Sequence, residues 1–322
     1  MQVRHLSREE RAVKKMALSQ TELGLLRQIA DLEKTPQGAY NIRKNGQADS
    51  RSSTANILIE SKTDKPGIDI RIKDGTKNES VHIPVIVTQS GLSDMTYNDF
   101  YIGDDCDVLI VAGCGIHNSG CETAQHDGIH TFYIGKNTKL RYVEKHYGEG
   151  EGSGERILNP VTKVYVGEGS SVTFETTQIK GVDSTNRNTE IVVGKNAEVI
   201  INEKLMTHGN QTARSDMEII LEGDGANGRV LSRSVATDES EQVFYPKMTG
   251  RAECFGHVEC DSIIMGKAKI SSIPAIIAEH PDSVLVHEAA IGKIAGEQLL
   301  KLMTLGLDEK QAEERILKGF LD

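Results

Sequence analysis

The sequence predicts a mainly β protein: a parallel β-helix (solenoid) core with an N-terminal helical segment and a C-terminal helical cap. The first observation behind this is a repeat across residues 101–270. Two β residues are followed by a glycine, three or four polar residues, and β residues again. The copies are YIGDDCDVLI, YIGKNTKLRY, YVGEGSSVTF, VVGKNAEVII, a degraded IILEGDGANGRVLS and a closing IIMGKAKI. Their glycines, Gly103, Gly135, Gly167, Gly194, Gly223 and Gly266, are spaced 32, 32, 27, 29 and 43 residues apart. A coil cannot bury its inner face alone, so coils stack into one continuous core, and glycine supplies positive φ at a corner. The second observation is the contrast between this β-rich middle and two helical ends. The organisation is then 1–37 helical, 38–294 β-helix and 295–322 helical.

The elements follow in order. SREERAVKKMALSQTELGLLRQIADLEK reads as a helix, with Ser7 and Glu10 as a capping box and Val13, Met16, Leu18, Leu23, Leu26 and Ile29 as a ragged apolar face. Thr35-Pro36-Gln37-Gly38 ends it. Residues 38–54 are polar and read as a loop. NILIESK, GIDIRIKDG and VHIPVIVT alternate as half-buried strands do, with His82 structural. At the C-terminus, one short helix covers roughly Gly296–Leu305 and is stopped by Gly306. A second starts at Asp308, an N-cap with Gln311 three residues on.

Composition excludes several classes. A net charge of −10 argues against a general nucleic-acid binder. No apolar run approaches a membrane span, and MQVRHLSREERAVKK has no signal-peptide core. A cytoplasmic chain is expected, whose five cysteines serve as thiols for metal, sulfur or packing. There is no Walker A motif. The Gly-rich string at 150–155 follows no βαβ pattern and carries acid where phosphate would sit, so it is no nucleotide site. The chain lacks the six-residue period of hexapeptide acyltransferases and the aromatic platforms of polysaccharide lyases.

Ligand-type residues gather in two places. Cys106, Cys114, His117, Cys121, His126 and His130 lie in the early coils, without the paired spacing of a zinc finger. Cys260-Asp261 and His287-Glu288 bracket a late stretch. On spacing alone, a buried Cys and a half-exposed His at strand ends is the favoured reading. Cys254 is an even offset from Cys260, so an unbroken strand would put both on one face.

CDSIIMG, VHEAAIGKI and EQLLKLMTLGLDEKQAEERILKGF follow one another from Cys260 to Phe320. In that order they resemble the C-terminal signature of the SufB/SufD family, scaffold subunits of the SUF iron–sulfur cluster assembly machinery. A weaker similarity reaches back to about Cys106, and the first hundred residues match poorly. The resemblance implies a scaffold without turnover chemistry of its own, on which a transient iron–sulfur cluster forms (4Fe–4S is one type open to it). It implies Cys260 as the leading cluster ligand, then Glu288 and His287; Cys254 is a further candidate by its offset alone. GCGIHNSG…HDGIHTFYIGKNTKLRY resembles the family segment whose cysteine receives sulfur, which points to Cys114. Glu144, His146 and Lys163 match positions lining an interior sulfur route, although the residue types differ. The C-terminal helices correspond to the unit that docks a SufC-like ABC ATPase, with Leu299, Leu302, Met303, Leu307, Ile316 and Phe320 as contact residues. The other implied partners are a second copy or a SufB/SufD-like paralogue, a cysteine desulfurase or other sulfur donor, and apo iron–sulfur proteins. No residue points to flavin. Two further readings stand beside this one. One is a metal-free β-helix adaptor for an ATPase. The other is a β-helix enzyme acting on a sugar or acyl group through Asp261, His287 and Glu288.

Overall fold

The computed structural model describes residues 18–34 and 36–321. Ser7, Glu10, Val13 and Met16 lie outside them. The described N-terminal helix α1 is Gln20–Ala30, and a different capping box starts it: Ser19 and Glu22 each accept from the other's backbone N–H. Asp31, in the left-handed region, ends it.

Two antiparallel hairpins follow, β1 (Ala39–Lys44) with β2 (Gln47–Ser52) and β3 (Ile57–Ser61) with β4 (Gly67–Ile72). The first corrects the loop expected over 38–54. Its polar residues still pair because β1 is anchored in parallel to the next strand along one edge. Thereafter the chain winds as β5 (Lys77–Val87), β6 (Ser93–Ile102), β7 (Asp107–His117), β8 (Ala124–Ile134), β9 (Lys139–Glu149), β10 (Arg156–Leu158) and β11 (Val161–Val166). It continues with β12 (Ser171–Lys180), β13 (Ser184–Val193), β14 (Glu198–Thr207), β15 (Thr212–Leu221), β16 (Ala226–Ala236), β17 (Glu241–Gly250) and β18 (Cys254–Ile264). The last strands are β19 (Lys269–Ser272), β20 (Ala275–Ala278) and β21 (Ser283–Gly292), before α2 (Gly296–Thr304) and α3 (Glu309–Leu321). Successive strands alternate between two sheets. The first runs β2-β1-β5-β7-β9-β12-β14-β16-β18-β21, and the second runs from β3 and β4 through β6, β8, β10/β11, β13, β15 and β17 to β19/β20. This is a parallel β-solenoid of about 8 turns.

Coil length follows from register. Ile102 pairs with Ile134 and Ile134 with Val166, each 32 residues on, whereas Val166 pairs with Val193, 27 on, and Val193 with Leu221, 28 on. The repeat glycines 103, 135, 167, 194 and 223 sit just after the strands of the second sheet, but not in the left-handed region. They are needed for close stacking. A Cβ on Gly167 would lie 2.4 Å from the Gly135 carbonyl oxygen, and one on Gly223 2.3 Å from the Lys195 nitrogen. Positive φ falls two residues later, at Asp105, Asn137, Gly169, Asn196 and Gly225. Gly266 does not continue this series. It lies at the opposite corner, after β18, in line with Gly209 and Asp238, all with φ near +60° to +67°. That displacement explains the odd spacing of 43.

The interior half next to the glycine corner is apolar. Phe100 stacks on Phe132 at 4.2 Å, and Phe132 meets Tyr142 and Phe174 edge-on at 5.0 and 5.5 Å. Outside, Tyr101, Tyr133 and Tyr165 form a stacked ladder. α1 lies on the outer face of the first sheet, packing Leu25, Leu26 and Ile29 against it. At the C-terminus, Asp308 and Gln311 cap α3 reciprocally. α3 rests on β16, where Arg233 donates to the Phe320 carbonyl. The helices therefore flank the solenoid and do not cover its last coil, where Ile273, Ile276, Ile277, Val284, Val286 and Ile291 are exposed.

Phe132→Ala should lower unfolding stability by about 3–5 kcal/mol, the cost of emptying a packed aromatic site. Tyr133→Ala, on the exposed ladder, should cost less than about 1.5 kcal/mol. Urea denaturation of the two variants checks the ordering, and equal losses would refute the inward–outward assignment.

Candidate functional site

Two thiols face the middle of the bore, away from its glycine corner. In β7 the inward phase runs Val108, Ile110, Ala112, Cys114, and in β18 it runs Val258, Cys260, Ser262. Gly113 and Gly115 flank Cys114 on the outer face. A Cβ on Gly113 would sit 2.7 Å from the Ile29 carbonyl oxygen, and one on Gly115 3.1 Å from Leu25 Cβ. The Gly-Cys-Gly string thus lets α1 seat directly behind the thiol.

Between the thiols runs a polar lane, opposite the aromatic side of the bore. In register along the first sheet, Cys114 is followed by His146, Gln178, Leu205, Ser234 and Ser262. The adjoining ladder is Ala112, Glu144, Thr176, Glu203, Ser232 and Cys260. The second sheet adds His126, His130, Thr162, Arg187, Thr189 and Ser215, all buried. Five strand steps separate β7 from β18, so the thiols stand about 24 Å apart at ~4.8 Å per step.

The lane is hydrogen-bonded. Asn98 meets His130 Nε2 at 3.3 Å, His130 Nδ1 meets the Tyr142 hydroxyl at 2.9 Å, and that hydroxyl donates to Glu144 at 3.0 Å. This order makes His130 the Nδ1–H tautomer. Arg187 donates to Glu144 Oε2 at 2.8 Å and lies 3.3 Å from His146 Nδ1. One coil on, Ser215 donates to Glu203 at 3.2 Å. A cavity of about 20 Å³ lies among Cys114, His126, His130, Glu144 and His146. Two of about 10 Å³ follow, sharing Thr176, Arg187 and Glu203. Each is about the room one water needs.

Burial governs the protonation states. It opposes ionisation of Glu144, but His146 and Arg187 outweigh it and hold the carboxyl well below its ordinary range. Burial wins at Glu203 and raises it, despite Arg187. It brings the His130 imidazole down to about 4. Burial, then Asp94, Glu144 and Asp127, push the Cys114 thiol well above its usual value. At Cys260 burial lifts the thiol to about 11.

The residues singled out in the sequence divide accordingly. Glu144 and His146 lie in the lane beside Cys114. Lys163 does not: on β11 the inward residues are Thr162 and Val164, so Lys163 points outward and is exposed. Cys260 Sγ lies 3.7 Å from His287 Nε2, and burial lowers that imidazole. Glu288, the next residue, is on the outer face, 66% exposed and 3.7 Å from His257 Nε2. Cys254 does share the inward face of an unbroken β18, but six residues put it about 20 Å along the strand, where its sulfur faces Ser283. Among the described residues no three of His, Cys, Asp and Glu converge to hold a metal ion. Asp261 takes the outward phase with Glu288, so the acid/base set of the enzyme reading is split across the sheet. Cys106 is a corner residue whose thiol meets the Lys73 carbonyl, and Cys121 is exposed. Of the helix residues, Leu299, Leu302, Leu307, Ile316 and Phe320 are half-buried, while Met303 is exposed with Leu300 and Leu305.

Sequence reasoning missed Arg187 and Glu203. The signal was the alternation itself. Counting back by twos from Val193 and Ile191 in STNRNTEIVV, or forward from Val199 and Ile201 in EVIINEKLMT, places both inside.

A family model described as SUF system FeS cluster assembly, SufBD core domain, matches residues 116–251 and 183–320, together well over half of the chain. A protein of Methanocaldococcus jannaschii named as an iron–sulfur cluster assembly SufBD family protein is 28% identical over 270 residues, covering 82% of this chain and 84% of that one. A like-named protein of Methanothermobacter thermautotrophicus is 25% identical over 271 residues, covering 82% of this chain but 64% of its own length. A chloroplastic protein of Arabidopsis thaliana, named to the same family, is 24% identical over 204 residues, 61% of this chain and 36% of that one. Among the described residues no helix is long and apolar enough to cross a membrane.

Arg187→Met strands Glu144 in the bore and should cost about 3–5 kcal/mol at pH 7. With burial then opposed by His146 without Arg187, the Glu144 carboxyl should rise above its unfolded value. The deficit should therefore shrink as pH falls to 5 and the group takes up a proton. Adding Glu144→Gln should recover most of the loss. Urea titrations at the two pH values decide it, and a pH-independent deficit would sink the assignment.

Proposed function

The chain belongs to the SufBD family and so takes part in iron–sulfur cluster assembly, and on that premise we propose that it is the scaffold on which the cluster is built. The observation that carries this reading is the buried polar lane joining two inward thiols. Sulfur enters the wider cavity beside Cys114 already at the oxidation level of sulfide, held there without a bond to the thiol, and Glu144, His146, Arg187 and Glu203 line its way toward Cys260. Only small species fit the intervening cavities, so sulfur travels as a small molecule and not on a protein arm. At Cys260 it meets iron. The thiol and the His287 imidazole are suited to iron, and the cluster is cargo to be passed to apo proteins.

The described residues of one chain supply too few converging ligands, so a second copy or a paralogue completes the set. β21 has one unpaired edge, and the apolar residues exposed around it favour burial against such a partner. Glu288, on the outer face, is then available to the neighbouring chain. Leu300, Met303 and Leu305 on and after α2 present a small apolar surface to an ABC-type ATPase, which supplies the hydrolysis this chain has no motif for. The adaptor reading, in which no metal binds, draws on the same lack of a complete ligand set among the described residues of one chain.

The test is anaerobic reconstitution with ferrous iron and sulfide, followed by visible absorption and iron counting. Wild type should show sulfur-to-iron charge-transfer absorption that Cys260→Ala loses. Because the thiol must shed a proton held to about pH 11, iron binding should strengthen with pH between 7 and 9, by about tenfold per unit for one thiolate. A cluster retained in Cys260→Ala refutes the ligand assignment. No cluster in either protein, with an ATPase co-purifying, selects the adaptor.

A further inference from the structure

The N-terminal end of the bore opens between the hairpins β1–β2 and β3–β4, around a cavity of about 220 Å³. Four cations line it, Arg43, Arg51, Lys62 and Lys65, in a chain whose net charge is −10. Three of them have partners. Arg43 clamps Asp94 through two hydrogen bonds of 2.6 and 2.8 Å. Lys62 is held between Asp69 and Asp99. Lys65 lies 4.5 Å above the Tyr97 ring. Arg51 differs. Its guanidinium donates to Asn41 Oδ1 at 2.8 Å and Ser61 Oγ at 2.9 Å, both neutral, and among the described residues it meets no carboxylate. A half-buried cation without a counter-charge is costly to keep, and burial indeed disfavours its charged form.

This cavity shares two wall residues, Ile83 and Val85, with the cavity at Cys114. Asp94 links the two rooms. It takes Arg43 on one side and His126 Nδ1, at 3.1 Å, on the other, and His126 lines the Cys114 cavity. We infer that the mouth is a binding site for a small inorganic anion, held by Arg51 and Lys65 at the entrance to the Cys114 chamber. The volume lies below the ~300 Å³ at which drug-sized ligand pockets begin, so the ligand is an ion and not a nucleotide. The physiological ion is hydrosulfide, which passes Cys114 without forming a bond to its thiol; this identity alone rests on the sulfur route proposed above.

Calorimetric titration of the full chain with sodium thiosulfate, at fixed ionic strength and without iron, tests the site. One thiosulfate should bind per chain. Arg51→Gln should weaken binding by at least about tenfold, with its melting temperature recorded as the folding control. Lys65→Gln, at an exposed position, should weaken it several-fold without changing the melting temperature. Under anaerobic conditions hydrosulfide should displace thiosulfate. No binding by wild type, or equal affinity in all three proteins, overturns the site. Thiosulfate binding that hydrosulfide fails to displace overturns the identity of the ion. Neither iron nor an ATPase enters the measurement, so a failure of the scaffold reading would leave its result standing.

Discussion

Parallel, in-register stacking is the constraint on which everything else in this molecule rests. Because each coil lies about 4.8 Å from the next, a side chain that points inward has another inward side chain above and below it. A ladder is therefore a shared environment. The corner glycines keep that stacking tight, since a Cβ at Gly167 or Gly223 would push neighbouring coils apart. Hydroxyls help at the same corner: Thr138 and Ser170 each bond a carbonyl of the preceding coil, at Gly103 and Gly135. Cys106 stands in that hydroxyl ladder, which accounts for its burial without any chemical role.

The same constraint makes the interior amphipathic. Apolar ladders collect beside the glycine corner, polar ladders occupy the middle, and a second apolar cluster around Val87, Ile116, Leu158 and Val182 fills the opposite corner of the early coils. A buried charge is tolerated only when neighbours in its own or adjacent coils compensate it. Glu144 answers to Arg187 and His146, and Asp94 answers to Arg43 and His126. Glu203 has weaker support and is held toward its neutral form. The result is a polar thread, closed to bulk water along its length and dry on one side, between two thiols that burial keeps protonated.

Much of this was legible in the residues. The glycine repeat gave the solenoid, because close backbone approach leaves no room for another residue type, even though the left-handed residues prove to lie two positions later. Gly266 misled because glycine also serves the opposite corner, where positive φ is the requirement. The inward setting of Cys260 and His287 together was readable once the coil length is 29: position 287 falls in phase with Val258, and 288 falls out of phase. Lys163 was misplaced for the same reason, since similarity of position along the chain does not fix which face of a strand a residue takes. The hairpin over 38–54 was hidden because its stability comes from pairing with β5, not from its own polar sequence.

The change in coil length has a consequence of its own. The coil before Cys114 has 29 residues, the two after it have 32, and coils of 27 to 29 residues follow toward Cys260. A shorter perimeter encloses less, and the cavities fall from about 20 to about 10 Å³ in the same direction. From the first thiol toward the second the bore narrows. Such a shape sieves by size without a gate: on the scaffold reading proposed above, a bulky carrier would halt at the broad end and only small cargo would reach the far thiol.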